Sequence, residues 1–165
     1  MIKVLDLIFI IFFIKGRPFM SKLLKEDIEK IIPHRVPFLL VDEITEMVPG
    51  RNIKGIKHVS LDEYYFKGHF PGEPIMPGVL QVETIAQVGA VAVLSMPENR
   101  GKMVLFAGID KARFKKVVRP GDKLEIEVEL QEFKRNIGKA KGSAKVDGEV
   151  ACSAQIMFAI DRRKT

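Results

Sequence analysis

The sequence predicts an α+β domain in which a curved antiparallel sheet wraps round one long hydrophobic helix. Three observations lead there. From Gly78 to Met96 the chain is apolar nearly all round the helical circumference, with Glu83 as its one ionisable side chain. A helix of that kind in water has to be covered on most sides. Beyond it the signal is almost purely that of strands, with strict alternation in Leu124-Glu-Ile-Glu-Val-Glu-Leu130 and a hairpin dipeptide at Asp147-Gly148. Finally, 165 residues at 47% hydrophobic content suit one domain with a sizeable core and exclude a disordered chain.

In chain order, residues 1–19 stand apart from a single domain over 20–165. Val4 to Ile14 is apolar except for Asp6, and Lys15-Gly16-Arg17-Pro18 ends it. Eleven residues fall short of the ~20 a bilayer span needs, and no small-residue cleavage site follows. Met20-Ser21-Lys22 reads as an ordinary start, which makes the extension a mis-called beginning, with a membrane-surface or partner-docking helix as the alternative. Leu23 to Ile32 carries a short helical pattern stopped by Pro33. Phe38 to Val48 reads as a strand, Pro49-Gly50 as a turn and Ile53 to Val59 as the returning strand. The long helix from Gly78 has nineteen positions to Met96, about 28 Å at ~1.5 Å per residue, and Pro97 ends it. Met103 to Ile109, Leu124 to Leu130, Ile137 to Val146 and Val150 to Ile160 complete the strands.

The net charge of +6 is modest, and basic residues are not interleaved with aromatics on any one element, which argues against a nucleic-acid partner. An acidic macromolecular partner fits the charge. The single cysteine, Cys152, excludes an internal disulfide and suits the cytosol. There is no Gly-x-Ser-x-Gly elbow, Walker-type loop or dinucleotide fingerprint, and three scattered histidines with one cysteine show no metal-ligand spacing. Neither a metal nor a cofactor is expected.

Chemistry concentrates in Gly68-His69-Phe70-Pro71-Gly72-Glu73-Pro74-Ile75-Met76-Pro77-Gly78 and in Glu83, five residues on. His69 sits on a proline-stiffened loop that opens onto the hydrophobic helix, whereas His34 reads as a loop tie and His58 as a strand residue. Glu83 lies in a narrow polar seam with Gln81, Thr84 and Gln87. An apolar setting raises a carboxyl pKa and keeps a proton available near neutrality. Histidine ordinarily titrates close to neutrality and suits the base role. Gly78 starts the helix, where unpaired N–H groups and the positive dipole end can hold a developing enolate oxygen. Base, acid and oxyanion donor together describe removal of an α-proton beside a carbonyl and loss of a β-hydroxyl.

Pro33-His34-Arg35-Val36-Pro37-Phe38-Leu39-Leu40-Val41-Asp42, the Gly68–Val79 segment, Glu83 to Gln87, Ala107-Gly108-Ile109-Asp110 and Pro120-Gly121-Asp122 closely resemble the Z-type (3R)-hydroxyacyl-[acyl-carrier-protein] dehydratases of bacterial type II fatty-acid synthesis. The resemblance runs from about Leu24 to Ile160 with its motifs in the family's order. It implies a hot-dog fold, a homodimer assembling further into a trimer of dimers, and acyl carrier protein as partner. It also implies loss of water from (3R)-hydroxyacyl chains on the phosphopantetheine arm, to give trans-2-enoyl chains without a cofactor. By match of motif His69 is the catalytic histidine, Glu83 the catalytic acid, Gly78 the donor to the thioester oxygen, and Phe70 and Gln87 line the substrate, with His69 and Glu83 meeting across the dimer interface. The sister A-type dehydratase/isomerases carry aspartate at the Glu83 position, which points away from isomerase activity. Residues 1–19 have no counterpart in the family, and many members have a tyrosine beside the position of Leu105, where the acyl tunnel is gated. Lys115, Lys116 and Arg119 are the carrier-docking candidates. The alternatives are another hot-dog enzyme acting on coenzyme A thioesters, and a non-catalytic acyl-binding module.

Overall fold

The structure, a computed structural model, describes residues 22–161; the segment 1–19 and its boundary at residue 20 lie outside them. The described chain runs β1 (Leu23–Leu24), α1 (Lys25–Ile28), β2 (Glu43–Val48), β3 (Asn52–His58), a 3-10 turn (Tyr64–Lys67), α2 (Gly78–Leu94), a second 3-10 turn (Pro97–Asn99), β4 (Met103–Phe114), β5 (Lys123–Lys134), β6 (Ile137–Val146) and β7 (Glu149–Asp161). All strand pairs are antiparallel, in the order β1-β2-β3-β5-β6-β7-β4. The sheet curves round α2, which is the hot-dog arrangement.

Local chemistry explains most of the boundaries. Asp147 (φ 52°) and Gly148 (φ 80°) both take the left-handed conformation that a two-residue type I′ hairpin requires between β6 and β7. In β5 the alternation holds, with Leu124, Ile126 and Val128 buried and the glutamates between them exposed. The helix lies close enough to the sheet that a Cβ on Gly142 of β6 would overlap Ile85. Glycine there is a packing requirement.

Three expectations about elements need correcting. The helical pattern over Leu23–Ile32 yields a single turn, because Leu23 and Leu24 pair with Ile44 and Glu43 at the sheet edge. The strand expected from Phe38 begins only at Glu43. Residues 36–38 turn, the Phe38 and Leu39 N–H groups returning to the Arg35 carbonyl, and the bonds beyond that go to a side chain: Gln87 Oε1 accepts from Leu40 N–H (2.8 Å) and Gln87 Nε2 donates to the Phe38 carbonyl (2.9 Å). The amide of Gln87 thus takes the part a neighbouring peptide would play in a ladder. β4 extends past Ile109 to Phe114 because register shifts at Phe106/Gly108 and Asp110/Arg113 absorb the irregular residues without ending the pairing to β7.

The sheet covers α2 incompletely. Val79 is 72% exposed, Glu83 and Ala86 are partly exposed, and these positions form one stripe at helical spacing. Beside the stripe runs β4, paired with β7 on one edge and with no strand on the other among the described residues. It presents Leu105, Phe106, Ile109 and Phe114 to solvent. No described helix is long and apolar enough to cross a membrane.

Candidate active site

The structure gathers the expected residues into two clusters. In the first, the His69 loop is held shut by its own backbone. His69 N–H donates to the Tyr65 carbonyl (3.0 Å), Ile75 N–H to the His69 carbonyl (3.0 Å), and Met76 N–H to Val118 (2.8 Å). The imidazole Nδ1 lies 2.8 Å from the Ile75 carbonyl. A carbonyl only accepts, so Nδ1 carries the proton and Nε2 presents a lone pair. The Phe70 ring stacks on the imidazole (centroids 3.9 Å apart) and is half exposed. Gly78, the first residue of α2, has no intrahelical acceptor for its N–H. The Phe114 ring lies where a side chain would stand, 2.8 Å from the Cβ position, so only glycine fits beneath it.

The second cluster is built on α2. The side chain of Glu83 is 17% exposed. Its Oε1 accepts a hydrogen bond from Gln87 Nε2 (2.8 Å), and its Oε2 accepts none among the described residues. Burial raises the Glu83 pKa above the ordinary carboxyl value, and the Gln87 bond offsets part of that rise. Since Gln87 donates to Oε1, the proton of the neutral acid belongs on Oε2. Both Nε2 hydrogens of Gln87 are directed at Phe38 and Glu83, and its Oε1 accepts from Leu40 N–H. These contacts join the Glu83 carboxyl to the 38–40 segment.

Glu83 stands at the edge of a cavity of about 220 Å³ between α2 and the sheet, lined by Ala86, Ala90, Val93, Leu105, Ile156 and Phe158 among others. Leu105 borders this cavity. His34, read as a loop tie, also lines this cavity, with Nε2 3.6 Å from Glu83 Oε1. His69 is absent from the lining, and no hydrogen bond or ion pair joins it to Glu83 among the described residues. A wider hollow of about 600 Å³ over β3, β5 and β6 lies on the charged outer face, away from both clusters.

Of the docking candidates, Lys116 pairs with Glu149 (2.9 Å) and Arg119 with Glu73 (2.7 Å), while Lys115 is exposed. His58 is exposed on β3, near Glu43 (3.9 Å). Sequence reasoning missed His34 in this site; the only hint was its place beside Pro33 at the head of an extended apolar run.

Comparison with known proteins gives a consistent result. A family model described as a FabA-like domain matches residues 32–155. The chain is 55% identical over 139 residues to the 3-hydroxyacyl-[acyl-carrier-protein] dehydratase FabZ of Bacillus licheniformis, covering 84% of this chain and 96% of that protein. It is 60% identical, with the same coverage, to the proteins of that name from Bacillus thuringiensis and Bacillus mycoides. Among solved structures, the dehydratase heterocomplex ApeI:P from Xenorhabdus doucetiae superposes with a TM-score of 0.71 at 17% identity, over 82% of this chain and 91% of that one. That likeness bears on the fold.

Proposed function

This chain belongs to the FabA-like family, among its 3-hydroxyacyl-[acyl-carrier-protein] dehydratases, and we propose that it removes water from (3R)-hydroxyacyl chains on acyl carrier protein in fatty-acid synthesis. In this reading His69 Nε2 takes a C2 proton of the substrate. The electron pair of that C–H bond becomes the C2=C3 double bond as the C3–O bond breaks. The Gly78 N–H holds the thioester oxygen, where charge develops. Glu83 gives its Oε2 proton to the departing hydroxyl, which leaves as water, and the product is the trans-2-enoyl thioester. His69 has then gained one proton and Glu83 lost one, and transfer of a proton back resets the pair. The steps use only a base, an acid and a hydrogen-bond donor from the chain.

One observation carries the reading: a carboxyl with a raised pKa and one unengaged oxygen at the edge of an apolar cavity. A proton donor beside a space for an acyl tail is what dehydration of a fatty 3-hydroxyacyl thioester calls for. The separation of His69 from Glu83, the uncovered stripe on α2 and the exposed β4 edge favour a homodimer in which each site takes His69 from one chain and Glu83 from the other. The excess positive charge favours the acidic carrier, and the cytoplasm is the compartment in which that carrier would be met.

The test is incubation with 3-hydroxybutyryl-[acyl-carrier-protein] while enoyl-thioester absorbance is followed. Growth of that absorbance, with no thiol released, supports the reading. Release of free thiol without enoyl product would make the protein a thioester hydrolase.

A further inference from the structure

The loop around His34 does not need its imidazole. Arg35 ties that loop, its guanidinium donating to the carbonyls of Ile32 (2.9 Å) and His34 (2.7 Å). The Phe38 and Leu39 N–H groups return to the Arg35 carbonyl (2.8 and 2.9 Å). The imidazole points elsewhere. It lies nearly parallel to the Phe38 ring at the cavity edge, with Nε2 3.6 Å from Glu83 Oε1 and Nδ1 buried without a partner among the described residues. A buried nitrogen without a partner is costly, and nothing in the loop compensates for it.

We infer that His34 is a positioning residue for Glu83: with Gln87 it occupies the Oε1 side of the carboxyl, so that Oε2 is the oxygen left to meet the substrate. The inference rests on the dehydration proposed above, in which Oε2 carries the transferred proton. Gln87 reaches Oε1 from the next turn of α2, and a carboxyl held by one bond can still pivot about it. His34 approaches the same oxygen from a different element, the loop before β2, which removes that freedom. At 3.6 Å the contact is longer than a hydrogen bond in the resting carboxyl. Once Glu83 has lost its proton the negative charge falls beside Nε2–H, and a movement of a few tenths of an ångström closes the bond.

The imidazole has to be neutral for this. Burial first, and the neighbouring Arg35 guanidinium second, hold its pKa below the ordinary histidine value. A carboxylate at 3.6 Å would pull the other way, but Glu83 is itself biased toward its neutral form. With Nδ1 buried and unpartnered, the single proton is better placed on Nε2, facing the carboxyl. Besides His34 and Gln87, the groups that bear on the pair are Arg35 of the same loop and Tyr64 of the 3-10 turn, whose hydroxyl pKa is raised in part by Glu83.

The test compares His34→Phe, which keeps the ring and loses the N–H, with His34→Gln, which keeps a donor near the Nε2 position. Two readouts are needed: kcat and KM with a 3-hydroxyacyl-carrier substrate, and the titration of Glu83 followed by carboxyl carbon NMR on the full chain without substrate. His34→Phe should lower kcat on the order of 10-fold with KM little changed, since misplacement of a reacting group acts on the chemical step. It should also move the Glu83 midpoint upward, because the carboxylate loses a donor. His34→Gln should restore most of both. In a Glu83→Gln background, His34→Phe should cost nothing further. Unchanged kcat and unchanged titration in His34→Phe would overturn the inference, as would an equal loss in both backgrounds. Should His34→Phe not fold, His34→Gln against His34→Asn makes the same comparison, since only the longer amide reaches Oε1, and equal rates would overturn it. If wild-type protein produced no enoyl thioester, the dehydration reading would fail on its own, while the Glu83 titration would still decide for or against His34.

Discussion

Two ionisable groups in this molecule, one buried and one partly exposed, follow opposite rules. Lys57 projects from the inner face of β3, its side chain 4% exposed, and is bracketed by carboxylates: it bonds to Glu63 and lies 3.8 Å from Asp42. Glu83 on α2 is partly exposed, its side chain 17% accessible, and its neighbours are a neutral amide and an imidazole whose pKa burial holds down. The first is a charge neutralised on the spot, as burial of an ammonium requires. The second is a charge left without a counter-ion, and its raised pKa is the result. Complete pairing is what a buried structural charge requires, and an unpaired carboxyl is what a proton donor would require.

The largest expected effect comes from removing the unpaired acid. Glu83→Gln should lower turnover by ~10² or more while the fold persists, and His69→Ala should do the same; steady-state kinetics beside circular dichroism would check both, and near-normal turnover in either would remove that residue from the mechanism. The paired group should behave in reverse. Lys57→Met strands Glu63, while Asp42 keeps Lys25 (3.5 Å) and the His58 N–H (2.7 Å), and should cost about 3–5 kcal/mol of stability. At this chain size that is roughly 10 °C in Tm, while kcat of the remaining folded enzyme stays within a few-fold of wild type.

Next in size is complementation between subunits. Mixing equal amounts of His69→Ala and Glu83→Ala and refolding them together makes about half of the dimers mixed, and each mixed dimer has one intact site if the pair is intermolecular. About a quarter of wild-type activity should return. A mixture that stays inactive would put both residues in one chain.

A smaller effect tests the raised pKa itself. The folded state holds the Glu83 proton more tightly than the unfolded chain does, so between the unfolded and folded pKa the native state binds more protons. Stability contributed by this group is therefore present at low pH and lost as pH rises through the folded value. Glu83→Gln should melt within error of wild type near pH 4 and a few degrees higher near pH 7.5. A difference that does not change with pH would mean that Glu83 is not held toward its neutral form. The smallest effect is at the N-terminus: a chain starting at Met20 should keep the Tm and turnover of the full chain, and aggregation would make residues 1–19 part of the domain.

The fold was largely legible because its signals are local. An all-round apolar helix demands cover, alternation in Leu124–Leu130 fixes which face supplies it, and Asp147-Gly148 can hardly be other than a tight hairpin. His69, Gly78 and Glu83 also stand out in the sequence as candidates, each as an exception to its surroundings. The boundaries that failed, at Leu23–Ile32, Phe38–Val48 and the far end of β4, failed where distant partners decide, since β1 exists only by pairing with β2, residues 38–40 bond to Gln87 as well as to Arg35, and β4 runs on along β7.

What the sequence determined by itself was therefore the sheet around the helix, with His69, Glu83 and a helix-start glycine as the candidates for chemistry. Only the tertiary structure could decide their relations. It spends the Gln87 amide on the backbone and on Glu83, directs the His34 ring to the same carboxyl, and leaves one carboxyl oxygen unengaged. Periodicity records which residues are covered, because burial depends on one side chain and its face. Partnership depends on two groups far apart in the chain, 47 residues for Leu40 and Gln87, and no local pattern carries it.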